Sequence, residues 1–163
     1  MRNKALSPFI ASALIILMGI VAITLVLTIV NPALDKAKDS GIVNEALQNL
    51  QLIDNTIREV ASEGEGSKRT ISLKVTEGVY KIDPNNDYLN FSYKIKTAVG
   101  LGISGQRDNI NITESGNDLD LFIRYTNLNL QGSDHFTKGD NSVVIMHNGT
   151  DSTTNYPLIC VGK

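Results

Sequence analysis

Few residues in this chain belong to types that do chemistry, and their spacing works against it. The histidines are His135 and His147, and there is a single cysteine, Cys160. His135 lies in a polar stretch, Gly132-Ser133-Asp134-His135-Phe136-Thr137, with Asp140 just beyond. Asp134, His135 and Asp140 are of types that suit a metal ion. One imidazole and two loop carboxylates at irregular spacing nevertheless match neither a zinc nor a calcium pattern. A solvated loop accounts for them better, and neither a metal nor another cofactor is expected. The acidic run Gly116-Asn117-Asp118-Leu119-Asp120 lacks EF-hand spacing and reads as a turn. Val99 to Gly105 is glycine-rich, but no Lys-Ser or Lys-Thr follows it, so it is a loop or an irregular edge strand rather than a phosphate cradle. A Ser-His-Asp set can assemble from distant residues, but nothing here resembles a nucleophile elbow. The chain is therefore not expected to be an enzyme, with an anchored hydrolase as the remote alternative.

Composition narrows the remaining classes. The chain has 163 residues and a formal net charge of −2, which gives no general attraction to nucleic acid. Lys94 and Lys96 share one face of a predicted strand, and two charges make no binding stripe. A lone cysteine forms no intrachain disulfide, and Cys160, between Ile159 and Val161, is expected to be a buried, inert thiol. Three Asn-x-Ser/Thr sequons begin at Asn90, Asn111 and Asn148. Their number is no more than the Asn, Ser and Thr content produces by chance. They are candidate N-glycosylation sites, with Asn148 expected to be the most accessible.

The elements that must position everything else begin with an apolar run. Phe9 to Val30, about 22 residues, carries no charged side chain and is long enough to cross a bilayer as a helix. Arg2 and Lys4 precede it, so the positive-inside rule places the leader inside and the C-terminus outside. Its apolar side chains favour insertion by at most about 7 kcal/mol in total. Ser12, Gly19, Thr24 and Thr28 interrupt it and offer helix–helix contact points. Pro32 is expected to end or kink the helix. Beyond it, Val43, Ala46, Leu50, Ile53, Ile57 and Val60 recur at spacings of three and four, with Asp54, Arg58 and Glu59 off that stripe.

Residues 62–67 are glycine, serine and glutamate, a hinge. After it the period changes to two. Strands are predicted over Thr70–Thr76, Val79–Ile82, Tyr88–Ile95, Asn109–Thr113, Leu119–Leu128, Ser142–His147 and Asn155–Val161. Asp83-Pro84-Asn85-Asn86 is a hairpin turn, and Asn148-Gly149 is expected to join the last pair. The fold class is α+β: a long N-terminal hydrophobic helix followed by an antiparallel, sandwich-like all-β head. The expected divisions are a leader at 1–5, the helix at 6–62, a hinge at 63–67 and the head at 68–163.

The order of leader and apolar run separates this chain from an ordinary secretory signal, which has a shorter apolar region followed by a small-residue cleavage site. Here Lys4-Ala5-Leu6-Ser7-Pro8-Phe9-Ile10 resembles the start of archaeal type IV prepilins: a basic residue, a small residue, then Ser-Pro opening the helix. Bacterial type IV pilins usually carry Glu where this chain has Ile10, which favours the archaeal group. The resemblance implies cleavage between Ala5 and Leu6 by a prepilin peptidase. It further implies membrane lipid around the helix before assembly, and a pilus assembly machinery that extracts it. The product implied is a helical homo-oligomer, an extracellular cell-surface filament serving adhesion. Phe9, Ile10, Leu14, Leu17, Ile20, Ile23 and Leu27 would then form the membrane segment and later the filament core. The alternatives are a single-pass anchored ectodomain with its leader retained, a minor pilin that forms no filament alone, and an archaellum subunit.

Overall fold

The computed structural model describes residues 8–96, 101–132 and 135–163. The leader, the Ala5–Leu6 junction, Val99 and Asp134 lie outside the described residues. One helix, α1 (Pro8–Glu63), is followed by ten strands. These are β1 (Lys68–Val75), β2 (Val79–Asp83), β3 (Tyr88–Lys94), β4 (Gly105–Arg107), β5 (Ile110–Ser115), β6 (Asp118–Arg124), β7 (Asn129–Gln131), β8 (His135–Phe136), β9 (Gly139–Thr150) and β10 (Pro157–Gly162).

Of the two outcomes expected at Pro32, an end to the helix does not occur; α1 runs through it as one helix. Proline removes one N–H and crowds the carbonyl of Thr28, but it leaves the rest of the ladder intact. At ~1.5 Å per residue, α1 is about 80 Å long. It stops at Gly64, whose φ of 95° is open to glycine at little steric cost. Ser67 Oγ then donates to Val60 O at 2.8 Å, and Gly66 N–H donates to His147 O at 3.0 Å. The glycine-rich link is thus a helix cap tied into the sheet.

The strands form a four-stranded sheet, β1-β9-β10-β7, and a six-stranded sheet, β4-β5-β6-β3-β2-β8. Every pair is antiparallel except β7 with β10, which is parallel. The C-terminal half of α1 touches β1, β9 and β10 of one sheet and β3 and β6 of the other. Helix and sheets therefore share one core. All six stripe residues, Val43, Ala46, Leu50, Ile53, Ile57 and Val60, are buried in it. Asp54, expected off the stripe, is buried too. At the base of β2, Gly78 has a φ of 90°, and a Cβ there would stand 2.4 Å from the Phe91 ring. Only glycine lets that ring pack at 4.7 Å, centroid to centroid, on Tyr80.

Several predicted boundaries shift. Tyr125 to Leu128 leave the strand, and β7 and β8 are additional short strands, β8 within what read as a polar loop. Asn148-Gly149 is not a hairpin turn. Both residues lie inside β9, where the pairing to β10 slips by a residue and Gly149 has a φ of 94°. The turn is made instead by Asp151, whose Oδ1 accepts the N–H groups of Thr153 and Thr154 at 2.6 and 3.3 Å. Cys160 is half-buried rather than buried, because strand alternation sends Ile159 and Val161 inward and Cys160 outward.

Candidate apolar interface

From Pro8 to Lys38 nothing among the described residues covers α1. Among these residues only Ala11 and Asp35 are even partly shielded. The side chains singled out from the sequence stand in the open: Phe9 is 81% exposed, Leu17 57% and Ile23 63%. Ile10, Leu14, Ile20 and Leu27 lie on the same rod and are exposed as well. So are Ile15, Ile16, Met18, Leu25, Val26 and Ile29, several of them on the opposite side of the helix. The rod is apolar on all sides, and it is the one helix among the described residues long and apolar enough to cross a membrane.

The three side-chain hydroxyls between Phe9 and Val30 are satisfied within the helix. Ser12 Oγ donates to Phe9 O at 2.9 Å, Thr24 Oγ1 to Ile20 O at 2.9 Å, and Thr28 Oγ1 to Leu25 O at 2.7 Å. Their hydroxyls therefore need no water and no partner, a condition for placing them in an apolar medium. Gly19 leaves open space around its Cα, which permits close approach by another helix.

Where the rod meets the head, charge takes over from hydrophobicity. Asp39 is fully buried; it accepts from Tyr93 Oη at 2.6 Å and from Lys96 N–H at 3.1 Å. Burial first, and then the Asp39 carboxylate, push the Tyr93 phenol well above its usual range. Glu45 accepts Thr76 N–H and Oγ1 at 2.8 and 2.6 Å. Asn49 Nδ2 donates to Lys74 O and Tyr80 Oη. Asp54 accepts from Asn109 Nδ2 at 2.6 Å and pairs with Arg58 Nε at 3.0 Å. Arg69 completes the series with ion pairs to Glu59 and Glu63 at the helix end. Named side chains thus tie the helix to β1, β2 and β3 and to the loop before β5.

The sequons are dispersed. Asn148 is exposed on β9, whereas Asn90 and Asn111 are half-buried on β3 and β5. His147 lies in the middle of β9, 6% exposed, with neither ring nitrogen hydrogen-bonded. His135 stands on β8 and is not brought to a metal cluster; no group of three or more His, Cys, Asp or Glu suited to a metal occurs among the described residues. No family model, curated protein or solved structure matches this chain.

Proposed function

We propose that this chain is a structural subunit of an extracellular filament of the type IV pilus kind, with adhesion as its role. In this reading a peptidase removes Met1 to Ala5, and the apolar rods of many copies pack into a filament core while the β heads coat it. The observation that carries the reading is the rod itself, exposed and apolar on every side next to a head that completes its core without it. A helix that is hydrophobic all round is stable only where every side is covered. Lipid supplies that cover before assembly and neighbouring rods supply it afterwards. Contacts between unlike patches that do not close on themselves propagate as a filament.

Intact mass, N-terminal sequencing and electron microscopy of the native protein test this. The expected result is a chain beginning at Leu6 and fibres in the preparation. Ala5→Arg should retain the leader and abolish the fibres. Unchanged fibres after that substitution would sink the reading. A native chain that keeps Met1 and stays single would favour the single-pass anchored ectodomain, which rests on the same rod having the length of one bilayer crossing.

A further inference from the structure

The outer surface of the six-stranded sheet carries a second feature, separate from the rod. Strands β2, β3, β5, β6 and β8, with the turn after β2, wall an open concavity of about 640 Å³. That is within the size range of small-ligand sites, roughly 300–1,000 Å³. Strand register assembles its floor. His135, Lys81, Asn90 and Phe122 stand opposite one another across β8, β2, β3 and β6. Beside this row the rings of Tyr88 and Phe122 meet at 5.6 Å between centroids, tilted by 46°, and both are half-buried. The Arg124 guanidinium lies over the Tyr88 ring at 5.5 Å.

The polar groups of the wall are arranged in sequence. Asn90 Nδ2 donates to Ser92 Oγ at 3.3 Å, and Ser92 Oγ donates to one oxygen of Asp120 at 2.6 Å. The chain leaves Asn90 Oδ1 buried without any hydrogen-bond partner. The Asn90 side chain lines the concavity, and a small shift that opens its enclosed Oδ1 to an incoming hydroxyl or N–H would give this buried acceptor the donor it lacks.

We infer that this concavity binds a neutral saccharide, with one C–H face of a pyranose ring on Tyr88 and Phe122 and its hydroxyls on Asn90, Asp120 and Lys81. Flat aromatic faces beside short-range donors and acceptors suit a ring that is apolar on its face and polar on its rim. Asp83 and Asp120 outnumber Lys81 in the lining, so its charge gives no net attraction to a phosphate or a sulfated sugar. A peptide strand would need a longer free sheet edge than β8 offers with its two residues, and Tyr88, Asn90, Asp120 and Phe122 stand on the inner strands β3 and β6. The inference concerns the head alone and does not depend on whether the rods polymerise.

Saturation-transfer NMR on the full chain in a zwitterionic, sugar-free detergent tests it, with methyl glucoside, methyl galactoside, methyl mannoside and N-acetylglucosamine as probes. The expected result is saturable transfer to at least one of them, strongest at the protons of one ring face. Phe122→Thr, which keeps a strand-forming residue, should weaken that binding about tenfold or more, and Asn90→Ser should weaken it as well. Lys74→Gln on β1 should leave it unchanged. Tyr88→Thr serves as the second aromatic variant, and thermal melts confirm that each variant is folded. No saturable transfer with any probe would overturn the inference. So would unchanged affinity in folded Phe122→Thr and Asn90→Ser, binding of sialic acid or inorganic phosphate alone, or a covalent glycan on Asn90 in the native protein.

Discussion

The two halves of α1 share one continuous backbone and have opposite surroundings. The N-terminal half is the more apolar, yet Ile15 is 72% exposed and Ile29 74% exposed. The C-terminal half carries Asp39, Asn49 and Asp54 on the sides it turns to the strands, yet Leu50, Ile53 and Ile57 have no exposed surface. What buries a side chain here is the presence of a shaped partner rather than its own hydropathy. In the lower half that partner is encoded in the same chain, as ten strands with acceptors and donors matched to the helix. For the upper half the described residues supply none.

Separating the halves gives the largest expected effect. Deleting residues 9–33 removes up to about 7 kcal/mol of membrane insertion. The chain should pass from the detergent phase to water in phase partitioning while the head keeps its melting temperature. A head that fails to fold after that deletion would break the comparison. Next, Leu50→Ala should destabilise the head by about 2–5 kcal/mol in chemical denaturation, because it opens a cavity in a closed core. Leu17→Ala in the rod should leave the head's denaturation unmoved. Smaller again, Asp54→Ala removes the acceptor of Asn109 and Arg58 and should cost about 1.5–3 kcal/mol. Arg58 is half exposed and regains water, which holds the loss toward the lower end. The smallest change is a gain. His147→Leu replaces a buried ring without hydrogen bonds by an apolar side chain, and should raise stability by about 1 kcal/mol in the same assay.

Local chemistry made much of this fold legible. The apolar run, the stripe of Val43 to Val60 and the alternation of β1 to β3 all follow from residue types at fixed periods. The Asp83-Pro84-Asn85-Asn86 turn is held as expected, with Asp83 Oδ1 accepting Asn85 N–H and Oδ2 accepting Asn86 Nδ2. Those donors, Asn86 foremost, keep the Asp83 carboxyl below its usual range. The signal for Asp39 was also present. Stepping back from Val43 by the same alternation of three and four lands on it, and only its charge argued against burial. Asp54 was harder to place, because its burial depends on Asn109, which is distant in sequence.

The β7–β10 pairing was not legible, since a parallel register between short strands leaves no local period. Asn148-Gly149 misled for a physical reason: the φ that suits glycine serves a bulge as well as a turn. Which one forms depends on where the partner strand resumes. Of the two surface features, the rod was readable from hydropathy alone. The sheet concavity was not, because Tyr88, Asn90, Asp120 and Phe122 become neighbours only through the registers of β3 and β6.

The unbroken passage of α1 from rod into core has a mechanical consequence. A pull along the rod axis is delivered to the stripe from Val43 to Val60 lengthwise. Those contacts, with the anchors at Asp39, Glu45 and Asp54, then carry the load together in shear, whereas a sideways tug at Asp39 would peel them one by one. Under axial tension the head is gripped along the length of its tether, and Pro32, where the ladder lacks one donor, lies in the uncovered stretch ahead of that grip.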